Sequence, residues 1–489
     1  MMLWKPAARS AWSLPVTSGA GGALALAEPL WTGSDIAEAT RGVAHGPRFV
    51  ASGVSIDSRD IAPGDLFVAL TGARDGHDFV PSALAKGAAG ALTARPLDGS
   101  CVVVDDTFEG LKRLAEAARI RARQARRGAV TGSVGKTSVT QLVRAGLDRA
   151  GAAHGSIKSH NNHLGVPLTL ARMPAGTRRA IFEIGMNHAD EITPLTLMVR
   201  PHAAAITTVE AVHVENFPDG EAGVARAKAE ILDGVEPGGL AILNADNRWF
   251  DFLKAEARRR GLRVRAFGKA KGSDAQLLRF APAPGGASIE ARIDDKRVEF
   301  PVRQAAAHWG PMSLCALLMM RALDVDLDTG LDALAAFEPL AGRGAERRLK
   351  TGRGEFVLVD ESYNASPVSV VAALTSLGAR AVRGRRIAAL TDMLELGAES
   401  PARHAALAQA VEAAGIDLVF CAGPLMKSLF EALPPSRRGG YAATAEELSP
   451  LLNAAVGAAD VVMIKGSHAS LASLLVENLV AAAALDGEG

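Results

Sequence analysis

The 489-residue chain is short of several things, and each shortage removes a class of function. Aromatic residues make up 4% of it, too few for the stacking platforms that hold single-stranded nucleic acid. Neither charge is in excess: 54 Lys and Arg stand against 53 Asp and Glu, so no strong field gathers a polyanion. Nucleic acid is therefore not an expected partner. The three cysteines, Cys101, Cys315 and Cys421, lie far apart in apolar surroundings. They read as small core residues of a reducing compartment, not as a disulfide or metal set. No apolar run reaches the length of a membrane span. Residues 1–28 carry Lys5, Arg9 and an Ala-rich end, like a signal peptide. Pro15, Ser18, Gly19, Gly21 and Gly22 interrupt any apolar core, so the stretch is read as a disordered extension or as a start codon placed too early.

What is present centres on Thr131-Gly132-Ser133-Val134-Gly135-Lys136-Thr137-Ser138. Ala129-Val130 before it is strand-like. Behind it Val139, Leu142, Val143 and Leu147 fall on one helical face. Strand, glycine loop and Lys-Thr opening a helix form a phosphate cradle. Backbone amides and the helix N-terminus face the phosphates, Lys136 reaches the β/γ oxygens, and Thr137 offers a hydroxyl to Mg²⁺. The stricter pattern has a glycine where Val130 stands.

The length implies two or three domains. Residues 29–127 begin with a capped helix at Thr32–Ile36, then a short segment at Val54–Arg59 and a buried strand at Leu66–Leu70. Gly72–Phe79 is a polar loop that either presents donors to a polyanion or merely connects two elements. The basic run Arg119–Arg127 reads as a solvated helix face leading to a linker. Residues 128–340 alternate strands and helices. Glu183 ends an apolar strand; it is either a Mg²⁺ ligand beside the phosphates or an edge-strand carboxylate facing water. His213 follows the strand 203–209 and is either a surface residue or a ligand. Lys228 lies in the apolar stripe Val224, Ala227, Ile231, Leu232, Val235 of a helix over 221–235. It either snorkels to water or is an amine held out of water with a lowered pKa. Residues 341–489 repeat strand, polar loop and helix four times, a doubly wound Rossmann-like pattern without G-x-G-x-x-G. The expected fold is thus α/β in three domains: a central P-loop-type parallel-sheet domain flanked by an N-terminal α/β domain and a C-terminal Rossmann-like domain.

Several motifs together resemble the Mur ligase family of peptidoglycan synthesis, from about Leu30 to near the C-terminus. They are T-G-S-V-G-K-T-S, the Asn161-Asn162 loop, Glu183, His213 and A-K-A-E at 227–230. D-E-S-Y-N-A-S-P at 360–367 and D-M-L-E-L-G at 392–397 are similar to segments of the members that add a dipeptide. S-I-D-S-R, F-V-A-L and D-G-H-D-F fit the family's UDP-sugar domain. The resemblance implies ATP-dependent joining of D-Ala-D-Ala to UDP-MurNAc-tripeptide through an acyl phosphate, in the cytoplasm, by a monomer, in service of cell-wall growth and division. It implies that residues 131–138, with Arg343 and Asn364, contact ATP. It also implies that Thr137, Glu183, His213 and a carbamylated Lys228 hold two Mg²⁺ ions, and that Ser58 and Arg59 lie in the UDP-sugar loop. The chain departs from the family pattern at Glu361 (usually Asp), Ser366 (usually Asn) and Thr391 (usually Gly). It also reads His308-Trp309-Gly310-Pro311-Met312 for H-N-V-x-N, so no adenine contact is carried over there. Three other readings stand beside this one: a tripeptide-forming or folate polyglutamate ligase, a P-loop ATPase without ligation, and an inactive scaffold. The segments at 360–367 and 392–397 argue against the first, and Lys136, Glu183 and Lys228 argue against the last.

Overall fold

The computed structural model describes residues 29–156, 159–211, 214–283, 285–338 and 340–487. The expectations for residues 1–28 and for His213 lie outside the described residues. The described chain forms three α/β regions, as the strand–helix alternation predicts.

The first region starts at Thr32, which caps the helix Gly33–Thr40. Its hydroxyl accepts from the Asp35 amide and the Asp35 carboxylate accepts from the Thr32 amide, so two donors that a helix end leaves over are satisfied reciprocally. A five-stranded sheet follows in the order Val43–His45, Cys101–Val103, Gly90–Thr93, Asp65–Val68, Gly53–Ser55, parallel except for the first pair. The basic run does not behave as a solvated face. Arg121 lays its guanidinium 3.5 Å over the Trp31 ring and donates to the Met173 carbonyl at 2.9 Å. Arg127 is buried and donates to the carbonyls of Ala125 and Val199, both at 2.9 Å; burial, then the neighbouring Arg119, pushes it down to about 10. These side chains form the seam between the first and central regions. A guanidinium fork survives burial where carbonyls meet its donors; Ala125 is local, while Met173 and Val199 come from distant parts of the chain.

The central region is built on a nine-stranded sheet. Ala153–Gly155, Arg179–Glu183, Arg126–Thr131, Ala203–Ile206, Leu240–Asn244, Arg263–Gly268 and Ala275–Ala283 lie side by side and parallel. Gly286–Ile293 and Lys296–Val302 then extend the sheet antiparallel, which the alternation of strands and helices does not foretell. The helix expected over 221–235 is α-helical for Glu221–Ala229 and tightens to a 3-10 turn over Glu230–Gly234. Gly234 presses on the helix Ile192–Val199: a Cβ there would stand 2.2 Å from the Thr196 carbonyl.

The third region has the sheet order Ala345–Thr351, Gly354–Glu361, Val461–Lys465, Arg386–Thr391, Leu418–Ala422, Arg438–Ala442, parallel after the first pair. Arg438–Ala442 contains Gly439 and Gly440 and gives little strand signal; it pairs because Phe420 fills the space beside both glycines. The three cysteines are buried. No helix among the described residues is long and apolar enough to cross a membrane.

Candidate active site

Three neighbouring strands of the central sheet end level with one another. Glu183 stands in register with Val130, and Ile206 with Thr131. The chain lays strands on both sides of Arg126–Thr131, so the loops leaving these carboxyl ends part around a crevice. The phosphate loop lies there. Gly132 has φ 148° and Gly135 φ 84°, and a Cβ would meet Thr207 Oγ1 at 1.9 Å or the Met312 methyl at 2.6 Å. Both glycines are therefore required. Val130 is a fully buried strand residue, which is why the loop tolerates it in place of glycine.

Residues 207–210 brace the loop from behind. Thr207 Oγ1 donates to the Val134 carbonyl at 2.5 Å, and the Ser133 amide donates to the Thr208 carbonyl at 2.9 Å. Lys136 opens the helix Lys136–Arg149 and donates to the Gly132 carbonyl at 2.6 Å. Desolvation lowers its pKa, and the Glu183 carboxylate opposes that shift. Thr137 and Ser138 are buried at the same helix start.

Glu183 is not an edge-strand residue facing water. Its strand is interior to the sheet and the side chain is 1% exposed. Asn161 Nδ2 donates to Oε1 at 2.6 Å, while buried Oε2 has no hydrogen-bond partner among the described residues. An unpartnered carboxylate oxygen beside a phosphate loop is costly unless a cation meets it, so the donor set fits Mg²⁺, a hard ion that takes oxygen ligands. Lys228 does not snorkel: it is 2% exposed. Burial first, then Lys136, drives its amine well below the usual lysine range. No hydrogen bond to it is found among the described residues. Glu230 of the same segment accepts from the amides of Asp190 at 2.8 Å and Ile192 at 3.1 Å, which ties the Lys228 turn to the start of the helix Ile192–Val199.

A cavity of about 660 Å³ joins this crevice to the carboxyl ends of the third region's strands. Residues 133–138, Asn161, Glu183, Arg343, Glu361, Tyr363, Asn364 and Lys465 all line it. The Arg343 guanidinium lies 3.9 Å from the Tyr363 ring centroid, and Tyr363 OH hydrogen-bonds Ser159 of the central region. Asp360 explains how Arg343 is held. Its carboxylate accepts from the Gly342 amide at 2.8 Å and from the Ser362 hydroxyl at 2.6 Å, so it braces the loop and leaves Glu361 to face the cavity. Lys465, at the end of its strand, donates to the Asn364 carbonyl at 2.9 Å and pairs with Glu361 at 3.4 Å. Neither Lys465 nor Asp360 is singled out by sequence reasoning. A charged residue closing an apolar strand, the signal that marks Glu183, is present at Lys465 as well.

The departures find local reasons. Ser366 caps the helix Pro367–Gly378, a position that Ser and Asn fill equally well. Thr391 hydrogen-bonds Ser470 at 2.6 Å and needs a glycine opposite, since a Cβ on Gly466 would lie 1.6 Å from its hydroxyl. Trp309 is a core residue packed on Phe337, and Met312 lies over Gly135. Ser58 and Arg59 sit in a turn of the first region and do not line this cavity. Arg59 pairs with Asp57 at 2.6 Å, and the Ser58 carbonyl accepts from Lys86 at 2.8 Å. In the Gly72–Phe79 loop, buried His77 bridges Asp75 at 2.5 Å and the Ala94 amide at 2.7 Å. His77 and Asp75 therefore serve the loop's own shape. The hydrogen bonds of His77 and the nearby Arg95 hold the Asp75 carboxyl down at about 2.

A phosphate loop, a buried carboxylate with a free oxygen and a desolvated lysine, closed over by a Rossmann-like region, define a P-loop enzyme that acts on phosphate between domains. Comparison with known proteins narrows the class. Residues 50–133 match the Mur ligase family catalytic domain, residues 130–320 the Mur ligase middle domain, and residues 347–468 the Mur ligase glutamate ligase domain. The UDP-N-acetylmuramoyl-tripeptide–D-alanyl-D-alanine ligase of Escherichia coli (strain K12) is 34% identical over 342 residues, covering 69% of this chain and 74% of the relative. The protein of the same name from Rickettsia prowazekii is 29% identical, covering 78% and 85%. A crystal structure of MurF from Acinetobacter baumannii superposes with a TM-score of 0.81 at 26% identity, covering 93% of this chain and 99% of that one. The chain belongs to the Mur ligase family.

Proposed function

We propose that the chain joins D-Ala-D-Ala to UDP-MurNAc-tripeptide, coupled to conversion of ATP to ADP and phosphate, yielding UDP-MurNAc-pentapeptide. The similarity to proteins of that name supports this reading. The observation that carries it is one cavity where the phosphate loop meets Glu361, residues 363–366 and residues 394–396. A carboxylate is a poor electrophile, so the γ-phosphoryl group is moved to the tripeptide's terminal carboxylate. The amine of the dipeptide then attacks the acyl phosphate, the C–N bond forms, phosphate leaves and the amine's proton passes to solvent. Phosphoryl donor and acceptor are both anions, and Lys136 with the loop amides brings positive charge between them. Arg343 and Asn364, across the cavity, contact the nucleotide. Closure of the third region onto the central one excludes the water that would hydrolyse the acyl phosphate.

Glu183, Thr137, His213 and Lys228 would hold two Mg²⁺ ions, whose chemistry is neutralisation of the phosphate oxygens. Lys228 serves there as a carbamate. Its desolvated, neutral amine adds CO₂ and releases one proton, which converts an uncharged nitrogen beside Lys136 into an anion with two oxygen donors. Ser58 and Arg59 take part in binding the UDP-sugar. All these groups lie on one chain, which acts as a monomer. The deciding experiment is phosphate release with ATP, UDP-MurNAc-tripeptide and D-Ala-D-Ala, each omitted in turn. Full release without the dipeptide would favour an ATPase.

A further inference from the structure

Behind the cavity wall lies a histidine that none of the roles above uses. His404, on the short helix Ser400–Ala405, has no exposed surface. Its Nδ1 lies 2.6 Å from the Ser400 carbonyl, one helical turn back, and its Nε2 lies 3.0 Å from the Met393 amide. A carbonyl only accepts and an amide only donates. The ring is therefore neutral, with the proton on Nδ1 and the lone pair of Nε2 turned to Met393. Burial lowers its pKa and so favours this form.

Met393 belongs to the loop Asp392–Gly397, of which Leu394, Glu395 and Leu396 line the cavity. The loop is held from behind at three successive residues. Asp392 accepts from the Met426 amide at 2.8 Å, Met393 donates to His404, and Leu394 donates to Ser467 Oγ at 3.0 Å. Beyond them Glu395 takes a left-handed φ of 63°, and Gly397 comes up against Glu215 of the central region, to which a Cβ there would lie at 3.6 Å. The Asp392 hold reaches the N-cap of the helix Lys427–Ala432, and the imidazole joins the loop to the helix Ser400–Ala405. A leucine would fill the volume, but it would bury the Met393 amide without an acceptor.

We propose that His404 is a positioning residue. Its neutral imidazole sets the 392–397 loop as the wall against which the attacking dipeptide is oriented. This rests on the ligase reading. The test compares His404→Gln with His404→Leu in the full-length enzyme. A glutamine amide supplies both N–H donors and a carbonyl acceptor; leucine supplies neither. His404→Leu should lose roughly tenfold or more in kcat/KM for D-Ala-D-Ala, while the KM for UDP-MurNAc-tripeptide stays unchanged. His404→Gln should stay within about threefold of wild type, even if both variants melt at equally reduced temperatures. The proposal is overturned if His404→Leu keeps the dipeptide kcat/KM, if His404→Gln falls as far as His404→Leu, or if the KM for the UDP substrate rises as much as that for the dipeptide. Wild-type enzyme without dipeptide-dependent phosphate release would overturn the ligase reading and this inference together.

Discussion

Replacing Lys228 by methionine should separate stability from activity in opposite directions. The side chain is 2% exposed, its amine has no hydrogen bond among the described residues, and Lys136 is the largest charged influence on it, opposed by Glu230 and Glu191. Burying a polar group without a partner costs roughly 1–3 kcal/mol in proteins. Methionine keeps most of the stem and removes that cost, so the variant should gain about 1 kcal/mol or more, seen as a rise of about 2 °C in melting temperature. The gain also has a pH signature. Folding lowers the amine's pKa, so the unfolded chain binds one more proton between the folded value and about 10.4. Wild-type stability therefore rises with pH across that window, and the advantage of Lys228→Met shrinks as pH approaches the upper limit. The melts belong in CO₂-depleted buffer, where the amine is unmodified. Activity should fall by roughly a hundredfold or more, because about 3 kcal/mol of charge stabilisation at the phosphates is lost. Phosphate release measures it, and acetate should restore part of the rate to Lys228→Ala. A variant that is both strongly destabilised and active would refute the reasoning, since it would make Lys228 a satisfied structural residue.

Lys136→Ala should remain folded by circular dichroism while kcat drops on the order of a hundredfold or more; near-normal turnover would remove the loop from the chemistry. Gly132→Ala should give inactive or poorly folded protein, because the Cβ meets Thr207 Oγ1 at 1.9 Å in a left-handed backbone; a soluble variant with wild-type rate would contradict the loop geometry. Desolvation holds the His154 ring down at about 4, so the unfolded chain takes up its proton first, and this site destabilises the fold as pH falls from about 6.5 towards that value. His154→Gln should flatten urea-midpoint loss over that window, and an unchanged acid slope would show that other groups carry it.

The phosphate loop, the strand–helix alternation and the carboxylate closing the strand at Glu183 were legible in the sequence because each depends on contiguous residues. Backbone freedom at Gly132 and Gly135, the hydrophobic period behind Lys136 and the polar end of an apolar strand are local properties. The stripe around Lys228 likewise announced burial, although it left open whether the amine escaped to water. Tertiary structure decided the rest. Whether Glu183 faced water depended on its strand lying between two others, and its free oxygen depended on Asn161 taking the first. The Arg119–Arg127 run became a seam because carbonyls of Met173 and Val199 met its guanidinium groups. Lys465 entered the site through Glu361 and Asn364, about a hundred positions away in the chain. Such partners are invisible to periodicity, because a hydrogen bond is specified by distance in space and the chain determines that distance only once all three regions have packed.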